Sequence, residues 1–123
     1  MDKKTRSCKD VLVWQQSIAL AQIVYQLTKS FPSEEKFGLI AQMRRAAVSI
    51  ASNIAEGQGR HTTGEFIQFI SRAEGSVAEV DSQLILSIEL NLCSQAAAEP
   101  AFALIADLRR TLNALRRNLA APT

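Results

Sequence analysis

His61 is the sole histidine of this 123-residue chain, and it sits in the run Gly57-Gln58-Gly59-Arg60-His61-Thr62. A single imidazole in a glycine-containing loop reads as solvent-exposed. Alone it supplies neither an acid–base pair nor a metal site, which need a second group at ligand or hydrogen-bond spacing. The chain carries no Glu-x-x-His pair of the kind that helical bundles use to hold two irons, and its carboxylates fall on separate helical faces. Gly57, Gly59 and Gly64 precede a helical stretch as in a phosphate-binding loop, but no strand precedes them and no Lys-Ser/Thr follows. They read as a turn and a cap, with free amides that could hold an anion only weakly. Cys8 and Cys93 form no Cys-x-x-Cys or Cys/His array and read as small apolar residues. The expectation is a protein that is not an enzyme and uses no metal or cofactor.

What remains with chemical reach is positive charge. Fourteen Lys and Arg stand against twelve Asp and Glu, so the net charge is only +2 and distribution matters more than the total. Lys3, Lys4, Arg6 and Lys9 open the chain, Arg60 lies in the glycine loop, and Arg109, Arg110, Arg116 and Arg117 come late, with no acidic residue after Asp107. These nine residues are the candidates for contacting phosphates.

The elements that must position them are helices. Apolar residues make up 47% of the chain and aromatics 6%, so the apolar content is aliphatic and alanine-rich; five glycines and three prolines leave long stretches uninterrupted. The patterning predicts one all-α domain over 1–123, an antiparallel up-down-up-down four-helix bundle with helices at about 8–30, 33–57, 63–92 and 95–120. In the first helix Val11, Trp14, Ile18, Ala21, Tyr25 and Thr28 form one stripe and Val13, Ser17, Leu20, Val24 and Leu27 a second beside it. Phe31-Pro32 stops that helix, and Ser33 is the expected N-cap of the second, with Glu34 and Glu35 in its first turn and Phe37, Ile40, Ala47 and Ile54 on its stripe. Gly57 and Gly59 are expected to end it. Thr62 and Glu65 match a capping box for the third, whose stripe runs Phe66, Ile70, Ala73, Val77, Val80, Leu84. For the fourth, either Ser94 caps it and Pro100 falls inside, or Pro100 opens it. Its stripe is Phe102, Ile105, Leu108, Leu112, Leu115 and Leu119.

Small residues line the second helix (Ala46, Ala47, Ser49, Ala51) and the third (Ser71, Ala73, Gly75, Ser76). Gly75 in mid-helix costs about 1 kcal/mol relative to alanine. Close approach of the two helices there is the expected compensation. Arg44 and Arg45, with Asn53 near the apolar stripe, need partners, for which Glu74 and Glu79 are the candidates in a structural polar network.

The segment Phe31-Pro32-Ser33-Glu34-Glu35-Lys36-Phe37-Gly38-Leu39, followed by Gln42-Met43-Arg44-Arg45-Ala46-Ala47-Val48-Ser49-Ile50 and Ser52-Asn53-Ile54-Ala55-Glu56-Gly57, is distinctive. It resembles the four-helix-bundle family named for open reading frames in intervening sequences of 23S ribosomal RNA genes. Val13-Trp14-Gln15, Gly59-Arg60, Glu65-Phe66, Phe69, Gly75-Ser76 and Gln83-Leu84 match as well. Ala51 stands where the family often has proline, and the fourth helix matches only in its apolar pattern. The resemblance implies a homo-oligomer, in particular a homopentameric ring. Related bundles are accessory variability proteins of diversity-generating retroelements, basic oligomers that bind nucleic acid and a reverse transcriptase. The partner classes implied are therefore a second copy, RNA or DNA, and a reverse transcriptase or ribosomal RNA element.

The bundle topology brings the chain start, the Gly57–His61 loop and the chain end to one pole. Seven of the cations gather there against Asp2, Asp10, Glu56 and Glu65, while the opposite pole holds Lys29 and Lys36 against Glu34, Glu35, Glu89 and Glu99. Summed over a ring, the basic poles would attract phosphates without reading sequence. The competing reading is that these side chains are merely solvated and favour the C-terminal end of the last helix through its dipole. The chain start, Met1 to Asp10, is polar and basic with no apolar segment of a secretory signal after it, and no uncharged apolar run is long enough to span a membrane. A cytoplasmic location is expected.

Overall fold

A computed structural model of the chain describes residues 8–122. Four helices, α1 (Cys8–Thr28), α2 (Ala41–Gln58), α3 (Thr63–Glu89) and α4 (Gln95–Ala120), carry the structure, and no strand occurs among the described residues. Each helix packs on the next and α4 closes back on α1. The start of α1 meets the end of α2, where Gln58 Nε2 donates to the Asp10 carbonyl at 2.8 Å; the start of α2 meets the end of α3, where Ser87 Oγ lies 3.5 Å from Met43 Sδ. The antiparallel bundle expected from the periodicity is therefore the observed fold. No helix among the described residues is long and apolar enough to cross a membrane.

The core is the set of stripes that meet on the bundle axis: Val13, Leu20 and Val24 of α1, Met43, Ile50 and Ile54 of α2, Ile70, Val77 and Leu84 of α3, and Leu108 and Leu112 of α4, all fully buried. Of the two stripes on α1, the one through Val13, Leu20 and Val24 goes inside. The other is split: Val11, Trp14 and Tyr25 are each more than 40% exposed, while Ala21 packs against the core and Thr28 is buried. Buried hydroxyls are satisfied along their own helices: Ser17 Oγ donates to Trp14 O (2.7 Å), Thr28 Oγ1 to Val24 O (2.8 Å) and Ser87 Oγ to Gln83 O (2.7 Å).

The helix ends follow local chemistry, with three departures from the sequence expectation. Thr62 Oγ1 accepts the Glu65 N–H at 3.1 Å, the N-cap bond expected of the Thr62/Glu65 pair, and its hydroxyl donates to the Glu65 carboxylate. Ser94 caps α4 by accepting the Ala97 N–H at 3.0 Å, so Pro100 lies inside the helix and supplies no N–H to the preceding turn.

The first departure is at the start of helix two. Ser33 does not cap it; Ser33–Glu35 is a 3₁₀ turn and Lys36–Ile40 a π turn. Gly38 has non-helical angles (φ −103°, ψ −108°), which break the helical phase. Phe37 is consequently 90% exposed rather than aligned with Ile40.

The second is the end of α3 at Glu89. Asn91 takes φ 61°, its N–H bonds Ile88 O and the Leu92 N–H bonds Ser87 O, both at 2.9 Å. This is a Schellman stop with asparagine in the left-handed position, and it ends the helix before Leu92.

The third concerns the glycines. Gly75 faces solvent with nothing within 4 Å of where a Cβ would stand, so it is not a close-approach residue. Gly57 is, and it lies inside α2 rather than past its end: a Cβ there would sit 2.8 Å from Phe69 Cβ and 2.9 Å from Phe66 Cδ1. Gly59 is the residue that caps α2.

Candidate nucleic-acid interface

The pole formed by the start of α1, the α2–α3 turn and the end of α4 holds Lys9, Arg60, Arg116 and Arg117, with Arg109 and Arg110 further in along α4. Lys3, Lys4 and Arg6 lie outside the described residues. Lys9 and Arg117 are exposed and belong to none of the ion pairs among the described residues. The other four are engaged by carboxylates. Arg60 Nη2 meets Glu56 Oε2 at 3.1 Å, Arg109 Nη1 meets Asp81 Oδ2 at 3.3 Å, and Arg116 Nε meets Glu74 Oε1 at 3.0 Å while its Nη2 donates to Asn113 Oδ1 at 2.8 Å. Arg110 pairs with Asp107 one turn back. Arg109 and Arg116 thus point into the α3–α4 seam, where Glu74, Arg109, Arg110 and Asn113 line an open groove of about 390 Å³. Arg110 and Arg117, two turns apart on α4, are both exposed. The six described candidates therefore do not form one continuous basic face.

The polar network expected around Arg44 is divided differently. Arg44 Nε donates to Thr28 Oγ1 (2.9 Å), its Nη2 to Tyr25 O (3.3 Å), and the guanidinium stacks 4.6 Å from the Tyr25 ring centroid. Its partner helix is α1, because Arg44 stands on the side of α2 that faces α1. Glu74 stands on the α4 side of α3 and belongs to Arg116, Glu79 is exposed, and Arg45 bonds Gln42 at the surface. Asn53 donates to Ser49 O and Oγ (2.8 and 3.0 Å), and Ser49 meets Ser76 across the α2–α3 contact at 3.0 Å. These are four separate small contacts, not one network.

Sequence reasoning missed Arg72. It sits one turn after Phe69 on α3, and its guanidinium carbon lies 4.6 Å from the Phe69 ring centroid, the same distance as that of Arg60. The i, i+3 spacing of Phe69 and Arg72 was a readable signal. The presence of Arg60 on the same ring was not. The described residues contain no group of three or more His, Cys, Asp or Glu able to hold a metal ion. Burial pushes the Cys93 thiol up, so it is a poor nucleophile at neutral pH.

This fold and its surface can be set against known proteins. Residues 9–114 match the family described as 23S rRNA-intervening sequence protein. The chain belongs to that family. A crystal structure of a protein of unknown function from the S23 ribosomal protein family of Bacteroides thetaiotaomicron VPI-5482 superimposes with a TM-score of 0.80 at 22% identity, covering 89% of this chain and 98% of that one. At that identity the likeness establishes the fold alone. No functionally curated protein matches the chain. The resemblance carried by the Phe31–Gly57 motif is thereby placed on most of the chain, including α4 as far as residue 114, where the sequence offered only a pattern of apolar residues.

Proposed function

We propose that this 23S rRNA-intervening sequence protein is a non-catalytic, homo-oligomeric accessory factor that contacts RNA or DNA phosphates through its basic pole. One observation carries the reading: the bundle topology brings Lys9, the Arg60 turn and Arg117 to one end of the molecule. A pole of this kind attracts polyanions by releasing their counterions and does not discriminate sequence. The carboxylates on Arg60, Arg109, Arg110 and Arg116 lower what each subunit contributes, so the reading depends on several subunits presenting their poles together. A homopentameric ring, as the family resemblance implies, would do this. A reverse transcriptase or a ribosomal RNA element is the class of larger partner such a factor would serve, in the cytoplasm.

Self-association is supported by exposed apolar residues of α1 and α2. Val11, Trp14 and Tyr25 of α1 and Val48 of α2 are 55, 42, 41 and 43% exposed, apolar side chains of the kind that interfaces cover. The same observation favours the second reading, a protein-interaction scaffold with no nucleic-acid role.

Two measurements test the proposal. Sedimentation of the full chain at micromolar concentration should give an oligomer, and a clean monomer would contradict the ring. Titration of a labelled RNA across a salt series should give affinity that falls steeply with salt; absence of binding at low salt would leave the scaffold reading.

A further inference from the structure

We infer that Arg60 and Arg72, stacked on the buried ring of Phe69, form a preorganised two-arginine contact for the phosphodiester backbone of a nucleic-acid strand; this names the site within the basic pole and rests on the nucleic-acid reading above. Phe69 is only 7% exposed, and its Cβ is seated against α2 at Gly57, where a side chain would stand 2.8 Å from it. Both guanidinium carbons lie 4.6 Å from the ring centroid, so they are no further apart than twice that distance. A guanidinium held on an aromatic face has already given up much of the rotamer freedom that a free surface arginine loses on binding. Each keeps N–H donors for a phosphate. Arg72 belongs to none of the ion pairs among the described residues, and Glu56 engages Arg60 through Nη2 alone. Glu56 is itself well exposed, so this surface pair offers little competition to a strand carrying several charges. Phe69 does not stack on bases, since its ring is covered; the outer guanidinium planes would meet them instead.

The site reads charge and spacing, not sequence. Lys9 and Arg117 lack this aromatic support, since neither lies on an aromatic ring among the described residues.

The test uses the full chain and a fluorescein-labelled single strand of about 20 nucleotides, with anisotropy read from about 50 to 200 mM salt. The double variant Arg60→Gln/Arg72→Gln should weaken binding by roughly tenfold at low salt and reduce the slope of log affinity against log salt by about 1 to 2. The double Lys variant keeps the charge but not the planar stack and should fall in between. Arg117→Gln should change the slope without reproducing the loss seen on removing Phe69. Phe69→Leu keeps both charges and should weaken binding while the helical signal and melting temperature report on folding. If that variant fails to fold, the arginine variants still decide. A wild-type protein that binds, with a Gln/Gln variant indistinguishable in affinity and slope, would overturn the site while leaving the basic pole standing. A wild-type protein that does not bind at low salt would overturn both.

Discussion

Gly57 and Phe69 touch with no space for a side chain between them: a methyl group on Gly57 would stand 2.8 Å from Phe69 Cβ. This contact seats the Phe66 ring and the Cβ of Phe69 against the last turn of α2, one bond from the ring on which Arg60 and Arg72 lie. Gly57→Ala should therefore destabilise the bundle by about 1–3 kcal/mol despite alanine's better helix propensity, because the obstructing atom is a Cβ that moves only with its backbone. Urea unfolding followed by circular dichroism checks this. An unchanged or raised midpoint would show that the two helices can separate at no cost.

Gly75 is the opposite case. Its absent side chain points into open solvent, so Gly75→Ala should stabilise the monomer by up to about 1 kcal/mol, through the helix propensity of α3 and the smaller entropy of the unfolded chain. The same unfolding experiment reads it, and a loss of stability would indicate that another molecule covers this face under the conditions used.

Arg44 ties α2 to α1 through Thr28 Oγ1, the Tyr25 carbonyl and the Tyr25 ring. Arg44→Ala should cost about 1–2 kcal/mol. Arg44→Lys should recover only part of that, since an ammonium cannot both stack on the ring and donate laterally to Thr28. Thr28 keeps its bond to Val24 O in either variant, so the loss should stay within this range. Equal stability of the Lys variant and the wild type would reduce the contact to simple charge.

Cys93 has its thiol raised by burial. In a Cys8→Ser background, alkylation of Cys93 by iodoacetamide should be slower at pH 8 than that of a free thiol, and its rate should reach half-maximum at a higher pH. The linkage has a definite sign. The folded state holds the proton more tightly, so the contribution is fully present below the ordinary thiol range and declines as pH rises through it, where the unfolded chain ionises first. Reaction as fast as a free thiol would mean that the α3–α4 turn opens readily.

Much of this was legible in the residues. The capping pair Thr62 and Glu65, the Ser94 cap and the apolar stripes at three- and four-residue spacing are local signals, each formed within one or two helical turns. The candidate site was legible only in part. Arg60, Arg109, Arg110 and Arg116 were read as cations near one pole or a few turns from it, but the carboxylate partner lies 42 residues away for Arg116 and 28 for Arg109. Spacing along a chain does not report such partners.

By itself, then, the sequence determined the number and order of the helices and the end of the bundle that Lys9, Arg60 and Arg117 share, because helical period, caps and short connections act over a few residues. The tertiary structure alone decided which stripe of α1 is core, that Gly57 rather than Gly75 leaves no room for a side chain, that Phe37 turns outward at Gly38, and that Phe69 carries two arginines. Each of these depends on which neighbouring helix occupies the space beside a residue, and that is settled only when all four rods bury their apolar faces at once.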